Sequence, residues 1–277
     1  GKCSGPPWPA KYLNENPIGK PSMNHTAPQP VPSRRELTKR LFTVYKWLWV
    51  IPFLGVSTLV IGTTIICLAF LGLPDLASRV LGPIWAKINS LMMMLTVQVE
   101  GRDKFNPKQS YIIVANHQSQ VDILALYGHL GVDFKWVMKQ ELRRVPVLGP
   151  ACAAMGHIFI DRGNTESALT SINNARTQIK DGMSVVFFPE GTRSRDGELM
   201  HFKKGAYRLA LELQLPILPV TILGTHQILP TDTLDLTPGE ARIVFHAPIS
   251  TQGLDASDLP RLVDQSREAI PDRVNRA

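Results

Sequence analysis

Between Trp47 and Pro74 the chain carries no charged side chain. A helix needs about 20 apolar residues to cross a bilayer's hydrocarbon core, and this run is longer. It is too long and too deep in the chain for a cleaved leader. Trp47 and Trp49 suit the interfacial belt at its start. The other reading, a buried core helix, is the weaker one, because such helices seldom stay uncharged over this length. Arg34, Arg35, Lys39, Arg40 and Lys46 precede the run and place its N-terminal side in the cytoplasm. One complete crossing would then put everything after Pro74 on the far side. The next apolar segment, 80–99, contains Lys87 and Asn89 and is amphipathic rather than spanning. The expectation is therefore an N-terminal membrane-associated helical pair over 34–95. Its first helix dips into or crosses the membrane and its second returns along the interface. The rest of the chain then faces the cytoplasm at the inner membrane.

Residues 1–33 are rich in Pro, Gly, Asn and Ser, have no apolar period and read as disordered. Met23 is a candidate native start. Across the 277 residues 44% are hydrophobic, which permits a large core, and the net charge of +7 favours anionic partners such as a phospholipid surface. No basic cluster interleaved with aromatics points to nucleic acid. Cys3, Cys67 and Cys152 are odd in number and scattered, which argues against a disulfide framework and a zinc site; no metal is expected.

From 96 to 277 the pattern alternates between short apolar runs and amphipathic stretches. It predicts strands over 96–99, 111–115, 134–138, 157–160, 185–188, 218–223 and 241–246. Helices are predicted over 122–130, 165–180, 203–213 and 259–270. Such alternation makes an α/β domain with a mostly parallel central sheet flanked by helices. Glycine-rich nucleotide loops are absent from the sequence.

Within that domain Tyr111-Ile112-Ile113-Val114-Ala115 reads as a buried strand that breaks at Asn116 and resumes as a helix from Ile123. The break carries His117 and Asp122. Five residues turn a helix through about 500°, roughly 140° off register, so the two cannot share a helix face. They meet only if His117 lies in the turn and Asp122 reaches back from the first helical turn. A carboxylate so placed fixes the imidazole's tautomer and readies it as a general base. The same residues carry a second reading: Ser119-x-x-Asp122 is a capping box, and Asp122 caps a helix. On these residues alone the two stand level.

Two more strands end in polar loops. Val185-Val186-Phe187-Phe188 leads into Pro189-Glu190-Gly191-Thr192-Arg193-Ser194-Arg195, with a glycine for close backbone approach, two hydroxyls and two guanidinium forks suited to phosphate. The alternative is a solvated charged turn. His157-Ile158-Phe159-Ile160 delivers Asp161 and Arg162, and Lys139 follows the strand at 134–138. Lys139, Arg162 and Arg193 thus share the strand-end position of His117, an arrangement for holding an anion beside a base. Asp232 and Asp235 read as solvated, and the other histidines as core or surface residues.

Taken in order, Asn116-His117-x-Ser119-x-x-Asp122, Phe159-Ile160-Asp161-Arg162, Phe188-Pro189-Glu190-Gly191-Thr192-Arg193-Ser194 and Leu218-Pro219-Val220 resemble the four motifs of the glycerolipid acyltransferases. The likeness is densest over 99–220 and strongest to the bacterial enzymes that act on 1-acylglycerol 3-phosphate. It implies His117 and Asp122 as the catalytic pair. It implies substrate contacts from Lys139, Arg162, Glu190, Gly191, Thr192 and Arg193. It further implies acyl transfer from acyl-CoA or acyl carrier protein to the sn-2 hydroxyl of lysophosphatidic acid, with the thioester as co-substrate and no cofactor. Rivals are another lysolipid or glycerol 3-phosphate as acceptor, or thioester hydrolysis with Ser119 as nucleophile.

Overall fold

The structure is a computed structural model that describes residues 1, 33–161, 163, 170, 171, 179 and 182–271. Arg162, most of the helix expected over 165–180 and nearly all of the segment expected to be disordered lie outside the described residues.

The apolar run forms part of a longer helical column. α1 (Arg34–Tyr45) opens on a capping box in which Ser33 and Glu36 exchange backbone and side-chain bonds, passes through a π-helical turn (Lys46–Val50), and continues as α2 (Ile51–Phe70). The helix thus starts well before Trp47. By length and composition Glu36–Phe70 could cross a membrane, and only 17% of its most apolar window is buried within the protein. Val56, Leu59, Val60 and Phe70 are exposed. Lys46 departs from its expected place in a basic flank: it is 5% exposed and donates to the Leu234 carbonyl at 2.7 Å.

The return segment comprises α3 (Pro74–Leu76), a second π turn (Ala77–Leu81) and α4 (Gly82–Met92). It ends earlier than expected, because Met94 takes a positive φ of 54° and the chain enters β1 (Leu95–Glu100). Asn89, which marked the segment as amphipathic, faces protein. Its Nδ2 donates to Ser57 Oγ at 3.0 Å, and Trp85 Nε1 donates to Thr58 Oγ1 at 3.0 Å, so polar groups zip α4 onto α2. A buried polar pair of this kind fixes one helix register, since any other leaves donors unpaired.

β2 (Ile112–Ala115), α5 (Val121–His129), β3 (Phe134–Lys139), α6 (Leu148–Ala154) and β4 (Ile158–Ile160) follow. Then come β5 (Ser184–Phe187), α7 (Gly205–Leu213), β6 (Ile217–Leu223), α8 (Thr225–Ile228), β7 (Gly239–Phe245) and α9 (Leu259–Ala269). All seven expected strands form one sheet in the order β1-β7-β6-β2-β5-β3-β4. Every pairing is parallel except β6 with β7, so β7 and β1 run against the other five.

β2 shows why the pattern works. Ile112 and Val114 pack with Phe187, Leu209 and Leu262 on one face; Ile113 and Ala115 pack with Leu124 and Leu126 on the other. All four strand residues are fully buried. A strand covered on both faces reads as a continuous apolar run. α6 was not foreseen: Gly149 and Pro150 interrupt its pattern, and it is short. It packs Ala151 and Cys152 against Ile65 of α2, joining the long apolar helix to the sheet domain.

Candidate active site

β2, β5 and β3 are parallel neighbours; the loops after β2 and β5 carry His117 and Glu190, and β3 ends on Lys139. This is where open α/β sheets place ligands. His117 Nδ1 lies 2.8 Å from Asp122 Oδ2. An ionised carboxylate only accepts, so Nδ1 carries the proton and Nε2 presents its lone pair. Nε2 makes no hydrogen bond among the described residues, and the side chain keeps 12% of its surface exposed while Asp122 keeps none.

Asp122 also ties down the turn ahead of α5, although α5 itself has no side-chain cap hydrogen bond. Its Oδ2 accepts the backbone N–H of Gln118 at 2.7 Å and of Ser119 at 2.9 Å. The capping box is incomplete, because Ser119 Oγ accepts from Val121 N–H at 3.2 Å. The pairing reading holds and the helix-cap reading gives way to a turn anchor: one oxygen collects two turn N–H groups and the imidazole. Asp122 Oδ1 is buried without a hydrogen-bond partner among the described residues.

The His117 turn is pinned on all sides. Asn116 Oδ1 accepts from Ile222 N–H at 2.7 Å and its Nδ2 donates to Ile222 O at 2.9 Å, fastening the turn to β6. His117 N–H donates to Glu190 Oε1 at 2.7 Å, and His117 O accepts from Ser194 N–H at 2.8 Å. Gln118 Nε2 reaches the Gly197 carbonyl at 2.8 Å. The His117 ring stacks on Phe188 with centroids 3.9 Å apart and planes 11° apart, and Phe188 in turn stacks on Trp136. Such packing leaves the ring little rotational freedom.

Glu190 was expected among the substrate contacts, and its surroundings give it another position. It is 3% exposed, and its second oxygen accepts Met200 N–H at 3.0 Å. Both oxygens therefore face the protein's own backbone, joining the His117 turn to the loop after β5. Burial pushes its pKa up to about 7, against the pull of the two N–H bonds.

Gly191, Thr192 and Arg193 line a cavity of about 920 Å³, as do His117 and Lys139. Its remaining wall is mostly apolar and comes from α2 (Leu54, Ile61, Ile65), α5 (Leu124) and α6 (Leu148, Ala151). Gly191 has a φ of +76°, and a Cβ there would meet Lys203 Nζ at 2.8 Å, so only glycine fits without strain. Arg193 Nη2 stands 3.4 Å from Asp232 Oδ1 and Arg195 Nε 3.2 Å from Asp232 Oδ2. Asp232 thus takes part in the site's charge network, where the sequence suggested mere solvation. Lys139 pairs with Glu141 at 3.0 Å, with both side chains about half exposed. The described members of the expected set are thus brought together at one mouth, with Glu190 one layer behind it.

Ser119 is fully buried and its hydroxyl donates to Leu229 O at 2.7 Å, so it is not poised to act as a nucleophile. His157 is also internal. Its Nδ1 accepts from Trp136 N–H at 3.3 Å, and burial, reinforced by Lys135, holds its pKa down to about 3. Chemically, the assembly offers a fixed base at the lip of an apolar chamber, with cations beside it. That suits proton abstraction from an amphiphile with an anionic head.

Residues 96–223 match the family model described as Acyltransferase. The chain is 33% identical over 214 residues to human (Homo sapiens) 1-acyl-sn-glycerol-3-phosphate acyltransferase alpha, covering 74% of this chain and 76% of that protein. It is 34% identical over 194 residues to the chloroplastic 1-acyl-sn-glycerol-3-phosphate acyltransferase BAT2 of Brassica napus, covering 69% of this chain and 54% of that one. The crystal structure of the 1-acyl-sn-glycerophosphate (LPA) acyltransferase PlsC from Thermotoga maritima superposes with a TM-score of 0.68 at 26% identity, over 83% of this chain and 93% of that one.

Proposed function

The chain belongs to the acyltransferase family, and from that premise we propose that it moves a fatty acyl group from an acyl thioester to the sn-2 hydroxyl of 1-acylglycerol 3-phosphate, giving phosphatidic acid. The observation that carries the reading is the His117–Asp122 contact at 2.8 Å, set at the lip of an apolar chamber that Arg193 and Lys139 also line.

In this reading His117 Nε2 takes the hydroxyl proton as the oxygen attacks the thioester carbonyl. Asp122 holds the imidazolium that forms. The tetrahedral centre collapses, the C–S bond breaks, and the thiolate of CoA or acyl carrier protein leaves and recovers the proton. A thiolate leaves readily, so no covalent enzyme intermediate and no cofactor are required. Arg193 and Lys139, with Arg162 as the third cation of the set, hold the phosphate and thereby aim the hydroxyl. Gly191 and Thr192 lie beside the acceptor's head. Glu190 acts by positioning His117 rather than by touching substrate. In this reading the apolar side chains exposed between Trp47 and Phe70 sit in the bilayer and the chamber opens at the cytoplasmic face of the inner membrane, so that lipid acceptor and product pass between bilayer and site.

The test uses purified protein in detergent with 1-acylglycerol 3-phosphate and a panel of acyl thioesters. His117→Ala should lose at least about 10²-fold in kcat, the low end for general base catalysis, and still fold. Arg193→Ala should raise the KM for the acceptor more than for the thioester. Near-normal kcat in the first variant, or thiol release independent of acceptor, refutes the proposal.

A further inference from the structure

The Arg193 guanidinium already has an anion beside it. Asp232 Oδ1 lies 3.4 Å from Arg193 Nη2, and the same carboxylate reaches Arg195 at 3.2 Å. Asp232 is far from these arginines in sequence, and it is not there by chance drift of a loop. Its backbone has a φ of 62°, a left-handed conformation that non-glycine residues take only when their surroundings impose it, Asp and Asn most readily. The surroundings are explicit. Thr231 Oγ1 lies 3.0 Å from Gln118 O and 2.8 Å from Ser194 O, pinning the segment to both the His117 turn and the arginine loop. Lys46 fixes the segment's other side through Leu234 O at 2.7 Å.

We propose that Asp232 is a built-in competitor for Arg193, a carboxylate that the acceptor's phosphate displaces and that returns as the product leaves. The inference rests on Arg193 being a phosphate ligand. The backbone is held firmly while the side chain is about half exposed, so the carboxylate can swing away without moving the loop. The pair is weak enough to yield: exposed ion pairs contribute little, whereas a phosphate monoester brings close to two charges and bidentate acceptor geometry. Acceptor and product carry the same phosphate, so a site that only gripped that group would retain its product. A competing carboxylate raises acceptor KM and speeds product release by the same thermodynamic step.

The experiment is Asp232→Asn, which keeps the side-chain shape and tolerates the left-handed backbone, with Asp232→Gly as a second variant that relieves it altogether. In purified full-length protein the acceptor KM should fall about 1.4–5.4-fold, the range corresponding to exposed pairs of about 0.2–1 kcal/mol. The inhibition constant of phosphatidate should fall by the same factor, and the KM for the acyl thioester should not change. In an Arg193→Ala background, Asp232→Asn should leave acceptor KM unmoved. An acceptor KM that stays put or rises in both Asp232 variants overturns the inference while leaving the phosphate role of Arg193 intact. If Arg193→Ala itself leaves acceptor KM unchanged, the underlying reading fails and takes this one with it. A residue that merely supported the loop would not lower two binding constants together.

Discussion

Asp122→Asn separates the two roles that one carboxylate combines. Three donors converge on Oδ2: His117 Nδ1 at 2.8 Å and the N–H groups of Gln118 and Ser119 at 2.7 and 2.9 Å. An asparagine carbonyl oxygen in that place can accept all three, and its NH₂ then falls where Oδ1 has no partner among the described residues. The turn and the tautomer should therefore survive, whereas alanine would leave the buried N–H groups unpaired. What asparagine removes is charge. With centres roughly 4 Å apart and an effective dielectric of about 20, the imidazolium–carboxylate attraction is about 4 kcal/mol. At about 1.4 kcal/mol per tenfold in rate, kcat should fall about 10³-fold. The assay is thiol release coupled to phosphatidate formation, with thermal melting followed on the same samples. A melting temperature within a few degrees of wild type together with kcat within tenfold would refute the reasoning, since the side chain would then serve only to hold the turn.

Glu190→Gln puts an amide N–H against one of the two backbone N–H groups, at His117 or at Met200, which should cost about 1–3 kcal/mol of stability and lower kcat by displacing the His117 turn; melting and turnover measure the two effects separately. In the wild type this group's pKa lies at about 7 in the fold and near 4.5 unfolded, so the folded state binds the extra proton between those values. Its contribution to stability is then present in full below pH 4.5 and lost as pH rises through about 7, with a slope of at most about 1.4 kcal/mol per pH unit. Denaturant titrations across that window should show the slope in wild type and its disappearance in Glu190→Gln. Phe188→Leu removes the ring stacked on His117 and should cost about 0.5–1.5 kcal/mol of transition-state stabilisation, a roughly 2–12-fold fall in kcat; an unchanged kcat shows that the imidazole needs no such support.

The sequence by itself determined what depends on near neighbours. Strand positions were legible because strands buried on both faces must be short apolar runs, and Ile112–Ala115 could be little else. The His117–Asp122 spacing admitted one meeting geometry, and it is the one found. The uncharged run could not be anything but a long apolar helix. What lay beyond reach depends on residues far apart in the chain. Glu190 bonds to His117 across 73 residues, Arg193 to Asp232 across 39 and Lys46 to Leu234 across 188. No periodicity encodes such pairs, because each is decided by which strands become neighbours and how their loops then face one another. Tertiary structure alone turned β7 antiparallel, drew Lys46 inward, and closed α2, α5 and α6 around one apolar chamber. Pattern assigns a residue to a buried or exposed face; only packing decides which partner meets it there.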